Sequence, residues 1–143
     1  MKGSCACGTI QYEIDQLDSP IEHCYCRTCR KSHAAAFNSA ALVNRDHFRW
    51  VKGREKLRFF ESSPGKMRQF CSLCGSHLIA DRPERPYIFL RVATLDDDPG
   101  KAPMFGIWES DRVPWLANEG LPFFAQDPPE GQRIWDRVRS EIS

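Results

Sequence analysis

The sequence predicts one mainly-β domain of short strands, with a helix near the C-terminal end. A length of 143 residues is typical of a single domain. Ten prolines and nine glycines favour many short elements over long helices. Residues 8–14 alternate apolar and polar side chains, which is the pattern of a strand with one buried face.

Further strands are predicted in chain order, separated by segments rich in Pro, Gly and Asp. The strand candidates are 47–50, 57–60, 67–70, 77–80 and 87–93, and the turns are 63–65, 83–86 and 96–100. Residues 87–93 form the longest apolar, β-branched run among them, which predicts a central strand.

The C-terminal segment carries the one strong helix signal in the sequence. Asp127 is suited to the N-cap and Pro128 to the first helical position. Ile134, Val138 and Ile142 then recur every four residues, which gives the helix one apolar face. We therefore expect a terminal helix docked on the domain.

Charge and hydropathy narrow the class of protein. Twenty Lys and Arg against 19 Asp and Glu argue against a dedicated nucleic-acid binder, because such proteins present a strongly basic face. The longest nearly apolar stretch, residues 34–43, has about half of the roughly 20 residues that a membrane span needs. No signal peptide is visible, so we expect a cytoplasmic protein with reduced thiols and no membrane partner.

Seven cysteines fall into three clusters, and this spacing is typical of metal ligands. The clusters are Cys5-x-Cys7, Cys24-x-Cys26-x-x-Cys29 and Cys71-x-x-Cys74. The C-x-x-C-Gly sequence predicts a tight metal knuckle, whereas C-x-C places both side chains on one side of an extended segment.

The clusters divide into four ligands and three. The two pairs predict a closed structural zinc site on Cys5, Cys7, Cys71 and Cys74. Cys24, Cys26 and Cys29 predict a second zinc with an open position, as in catalytic sites. Iron–sulfur ligation, disulfides, unconnected buried cysteines and a single zinc with a vestigial second cluster are the alternatives.

Water or an external thiol is our preferred fourth ligand of the second site, with His33 as the alternative. Three thiolates leave a bound zinc with a net charge of −1, which suits the binding of a thiol as thiolate better than the activation of water. Three basic residues beside the cluster are candidates for charge balance and for holding a substrate carboxylate: Arg27, Arg30 and Lys31. Phe105, Trp108 and Trp115 are candidate pocket walls.

The cysteine motifs resemble the glutathione-dependent formaldehyde-activating enzyme family, which also includes centromere protein V. The resemblance rests on residues 3–8, 24–31 with Phe37, and 68–76, and on later signatures at 95–99, 112–115 and 121–123. It covers a domain of residues 3–124 and leaves 125–143 as a C-terminal helical extension.

The resemblance implies a β-rich fold of stacked sheets called a beta-tent. It also implies a structural zinc on the four-cysteine set and a labile catalytic zinc on the three-cysteine set. The implied activity is that of a carbon–sulfur lyase that joins formaldehyde and glutathione into S-hydroxymethylglutathione, or the reverse.

Two positions depart from the family pattern and leave the substrate open. Ala34 stands near a position where the family usually has Gly, and Gly106 stands where a His is common. The leading hypothesis is an enzyme acting on a small thiol and a small aldehyde. A non-catalytic, zinc-stabilised protein-binding module is the alternative, and a thiol redox switch is a third possibility. The thiol, the aldehyde, the oligomeric state and any general base are left open by the sequence.

Overall fold

The computed structural model describes residues 1–116 and 120–127, and this part of the chain is mainly β, as predicted. Its strands are β1 (Lys2–Ser4), β2 (Gln11–Ile14), β3 (Ile21–Cys24), β4 (Asn38–Asn44), β5 (Phe48–Lys52), β6 (Leu57–Ser63), β7 (Lys66–Cys71), β8 (His77–Asp81), β9 (Tyr87–Arg91) and β10 (Pro103–Ile107). Its helix α1 is Arg27–His33, and its short 3-10 helices are Arg45–His47, Arg54–Lys56, Val92–Thr94 and Glu109–Asp111.

The strands form a small sheet and a large one. The small sheet has the order β1-β2-β5, and the large sheet has the order β10-β3-β4-β9-β8-β7-β6. Neighbouring strands are antiparallel except β3 and β10, which are parallel. Strand β9 lies in the middle of the large sheet, so the prediction of a central strand from residues 87–93 is confirmed.

The hydrophobic core joins the two sheets. Ile10, Tyr12 and Ile14 are fully buried, as the alternation of residues 8–14 predicts. They form one apolar cluster with Ile88 and Leu90 of the large sheet. One face of the large sheet is therefore covered by the small sheet, and the other face is left for α1 and a set of polar side chains.

The register of the large sheet places two arginines on that other face. Arg91 follows Leu90 and so points away from the core. It pairs with Ala40 across β4 and β9. Arg68 pairs with Ala80, and Ala80 pairs with Phe89, two residues before Arg91. Arg68 and Arg91 therefore share a face, although 22 residues of sequence separate them.

Helix α1 lies where the sequence shows no apolar periodicity. Cys29 is its one buried residue. Its N-cap is Cys26, whose sulfur accepts a hydrogen bond from the backbone N–H of Cys29 at 3.3 Å. Cysteine is not among the usual N-cap residues, and this explains why the helix escapes a sequence-based prediction.

Strands β1, β3, β4 and β10 are also absent from the sequence prediction. β1 and β3 are three and four residues long, too short for a clear alternation. The predicted C-terminal helix lies outside the described residues except for Asp127, and the division into 3–124 and 125–143 stays a prediction. In the described part of the chain, no helix has the length and apolarity that crossing a membrane requires.

Candidate metal centres and the cleft beside them

The first cysteine cluster joins the N-terminal segment to the middle of the chain. Cys5 and Cys7 follow β1, Cys71 ends β7, and Cys74 lies in the turn after it. Their four sulfurs lie within 4.8 Å of one another. The sulfur of Cys7 is 3.5 Å from that of Cys5 and 4.0 Å from that of Cys71.

Two tight turns bring these sulfurs together. Gly8 N–H donates to the carbonyl of Cys5 at 2.9 Å, so Cys5 and Cys7 meet across a turn. The expectation of an extended segment for this pair is therefore wrong. Gly75 N–H donates to the carbonyl of Cys71 at 2.8 Å, and Gly75 has a φ of 77° that favours glycine, as the predicted knuckle requires.

Hydrogen-bond donors around this cluster favour thiolates, whereas the burial of Cys5 opposes its ionisation. Backbone N–H groups of Ile10 and Leu73 donate to the sulfurs of Cys5 and Cys71 at 3.3 and 3.4 Å. Burial raises the pKa of Cys5 to about 11, while hydrogen bonding to Ser76 lowers the pKa of Cys74 to about 5. Tetrahedral zinc with Zn–S bonds of ~2.3 Å needs sulfurs about 3.8 Å apart. The four sulfurs fit such an ion.

The second cluster lies where β3 meets α1. Cys24 ends the strand, Cys26 caps the helix, and Cys29 sits in its first turn. Their three sulfurs lie within 4.8 Å of one another. His33 does not join them as a fourth donor, and its ring instead meets that of His77 with centroids 4.9 Å apart. Among the described residues, the donor set of this cluster is three sulfurs.

A buried cation faces the second cluster. The two terminal nitrogens of Arg68 lie 3.7 and 3.8 Å from the sulfur of Cys29. Hydrogen bonding to Cys24 and the charge of Arg68 lower the pKa of Cys29 to about 4. The same bond to Cys29, with burial, raises the pKa of Cys24. The guanidinium of Arg68 thus places a positive charge directly against the sulfur of Cys29.

A cleft of about 320 Å³ adjoins this cluster, with Cys26 in its wall. Its other lining residues are Arg27, Thr28, Ser62, Ser63, Lys66, Arg68, Arg82, Trp108 and Asp111. Four of these ten residues are cations and one is an acid, so the cleft suits an anionic molecule. Arg27 is the one of the three predicted basic residues that lines it, while Arg30 and Lys31 of the same helix do not.

Comparison with known proteins decides the family. Residues 1–111, more than half of the chain, match the family described as glutathione-dependent formaldehyde-activating enzyme. The chain belongs to this family. It is 29% identical over 111 residues to a Halomonas elongata protein that is provisionally named a glutathione-dependent formaldehyde-activating enzyme, covering 72% of this chain and 70% of that protein.

A solved structure supports the same fold. The chain resembles the crystal structure of a Rhodobacter sphaeroides protein with a TM-score of 0.59 and 27% sequence identity. The likeness covers 73% of this chain and 99% of that one. The family framework therefore extends over most of the described residues.

The structure shows the backbone conformation or the surroundings of the two positions that depart from the family pattern. Ala34 is the C-cap of α1 and has left-handed backbone angles, φ 47° and ψ 45°. Glycine is the usual residue in that conformation, so the family's glycine near this point suits the end of the helix. At Gly106, a Cβ would lie 2.9 Å from Cε2 of Tyr25. The Tyr25 ring thus occupies the space into which a larger side chain would extend.

One of the three predicted aromatic walls lies at the cleft. Trp108 lines it and has a left-handed backbone with φ 58°. Phe105 and Trp115 are exposed and do not line the cleft. The structure thus separates the three aromatics, which sequence spacing alone could not do.

Four cations near the site were not singled out by the sequence analysis: Lys66, Arg68, Arg82 and Arg91. Lys66 and Arg68 share a face of β7 because they are two residues apart, which is a period readable from the sequence. The sequence does not show which face of the sheet carries the second cysteine cluster, because that depends on the pairing of distant strands.

Proposed function

We propose that the protein is a zinc-dependent carbon–sulfur lyase acting on a small thiol, glutathione or a close analogue, and on formaldehyde or a related aldehyde. The observation that carries the proposal is a three-sulfur cluster with one member, Cys26, in the wall of a cationic cleft. Membership of the family supports both the thiol and the aldehyde as substrates.

The two cysteine clusters would hold two zinc ions with different roles. Cys5, Cys7, Cys71 and Cys74 would complete a closed structural site. Cys24, Cys26 and Cys29 would hold the second zinc. When bound, that ion would lower the pKa of a thiol that joins it while leaving the sulfur nucleophilic.

The cleft residues would bind and orient the thiol. Glutathione carries two carboxylates and one ammonium group, and the cleft offers Arg27, Lys66 and Arg82 to the former and Asp111 to the latter. Lys66 is partly buried, and burial lowers its pKa, so a substrate carboxylate beside its ammonium would offset the cost of desolvation. Trp108 would form an apolar wall beside them.

The reaction forms one carbon–sulfur bond. The thiol sulfur adds to the carbonyl carbon of formaldehyde, the carbon–oxygen double bond becomes single, and the thiol proton ends on the aldehyde oxygen. The product is a hemithioacetal, and the reverse reaction breaks the same bond. No oxidant or reductant is consumed.

Nuclear magnetic resonance exchange spectroscopy of formaldehyde with glutathione tests this proposal. Protein loaded with two zinc ions should accelerate formation and breakdown of the adduct, and Cys26→Ser should abolish the acceleration while the four-cysteine site keeps its metal. No acceleration over buffer by the two-zinc protein would overturn the proposal.

The same assay with a second thiol tests the role of the cleft. Lys66→Gln should reduce the preference for glutathione over 2-mercaptoethanol, which carries no carboxylate. Arg58→Gln is the matched control, because Arg58 is an exposed cation of β6 that does not line the cleft. Equal preference in the two variants would remove Lys66 from substrate binding.

A further inference from the structure

Two arginines are buried on the face of the large sheet that carries the second cysteine cluster. Arg68 is 3% exposed and Arg91 is 4% exposed. Neither forms an ion pair with a carboxylate in the part of the chain that the structure describes. Guanidinium groups stay charged at neutral pH, so the protein interior holds two positive charges here.

These guanidinium groups do not use all of their hydrogen-bond donors. Nε and Nη2 of Arg91 and Nε of Arg68 are buried and have no hydrogen-bond partner among the described residues. A buried charge that lacks a partner is strongly destabilising, so an opposite charge is expected close by. The feature therefore points to an anionic group at this place in the fold.

The second cysteine cluster supplies that charge. Arg68 donates to the sulfur of Cys29. Burial lowers the pKa of Arg91 to about 10, and the charges of the three cysteines oppose this shift. Glu22 of β3 pairs with Ala40, which also pairs with Arg91, so its carboxylate adds a negative charge to the same face. Lys66 adds a further cation rather than an anion.

The charges balance when the fourth ligand is an anion, such as a thiolate. Arg68, Arg91 and Lys66 carry three positive charges and Glu22 one negative charge, a net charge of +2. Three cysteine thiolates and a divalent ion carry a net charge of −1, and a fourth thiolate makes it −2, equal and opposite to these side chains. A neutral fourth ligand leaves the buried pair with one uncompensated positive charge. Because the two guanidinium groups are buried, an uncompensated charge costs more free energy here than it would in water.

We propose that Arg68 and Arg91 are specificity-determining charge partners, which make the three-cysteine site select an anionic sulfur ligand over a neutral one. This inference rests on the proposed function, since it assumes that a metal and an external thiol meet at Cys24, Cys26 and Cys29. According to this inference, two residues of the sheet, and not the metal ligands alone, determine the preference for a thiolate over a neutral fourth ligand.

Cobalt(II)-loaded full-length protein allows the test without measuring activity. The change in its ligand-field absorption reports binding of 2-mercaptoethanol, which supplies a thiolate, or of imidazole, which supplies a neutral nitrogen. Neither ligand carries a carboxylate, so the carboxylate contacts proposed for the cleft do not contribute, and the matched arginine control accounts for long-range charge effects. The variants are Arg91→Gln and Arg91→Lys, with Arg85→Gln, an exposed arginine in a turn, as the matched control.

Arg91→Gln should weaken binding of 2-mercaptoethanol by roughly tenfold or more, because a buried charge pair is lost, and should leave the affinity for imidazole nearly unchanged. Arg91→Lys should restore most of the thiol affinity, and Arg85→Gln should match the wild type. If Arg91→Gln does not fold, Arg68→Gln and Arg68→Lys give the same comparison.

Equal weakening for both ligands, or no rescue by lysine, would overturn the inference and leave the arginines with a packing role. Unchanged thiol affinity in folded Arg91→Gln and Arg68→Gln would also overturn it, while the proposed function stands. If the wild-type protein itself takes up no external thiol, the proposed function fails and the inference fails with it.

Discussion

Replacing Ala34 with Gly should stabilise the protein, although it removes a side chain. Ala34 ends α1 with φ 47° and ψ 45°, and this left-handed conformation costs an L-residue roughly 1–2 kcal/mol. Glycine adopts it without that cost but loses ~0.5–1 kcal/mol more conformational entropy on folding. Ala34 is exposed, so little packing is lost. The net gain should be about 0.5–1 kcal/mol.

Chemical denaturation at a fixed, saturating zinc concentration measures this gain, because metal release on unfolding is then the same for each variant. A gain of this size should also raise the Tm by about 2–4 °C. Ala35→Gly is the matched control: Ala35 is exposed and its φ is not positive, so this change should give no gain. A loss of stability in Ala34→Gly, or an equal change in both variants, would refute the reasoning.

Three further predictions follow from the site and from one surface pair. Cys71→Ser should lose the structural metal and unfold, because ~10–16 kcal/mol of zinc binding is comparable to the whole stability of a domain; metal content and circular dichroism check this. Cys24→Ser should lose one of two metals and keep its fold. A mild chelator should remove the same metal from the wild type. Equal resistance of both metals to the chelator would favour the non-catalytic binding module instead. Hydrogen bonding to Asp18 raises the pKa of His47 above 6.5, so the pair stabilises the fold at low pH, and this contribution is lost as the pH rises through the raised pKa. Asp18→Asn should lower the pKa of His47, which a magnetic resonance titration measures.

Features that depend on neighbouring residues could be predicted from the sequence. The alternation of residues 8–14 placed Ile10, Tyr12 and Ile14 in the core, because side chains of a strand alternate whatever the strand pairs with. The division of seven cysteines into four and three followed from their spacing, and the sulfurs do converge in these two groups. Local geometry and ligand chemistry determine both features.

Features that depend on the pairing of distant strands were decided only by the tertiary structure. Arg68 and Arg91 face the cysteines because β7, β8 and β9 pair in one register, and a shift by one residue would turn both guanidinium groups toward the core. Helix α1 needs a cysteine cap that no propensity rule anticipates. The sequence alone thus determined which residues could bind metal, whereas the fold decided which charges surround them, because electrostatic interactions depend on distances in space and not on separation along the chain.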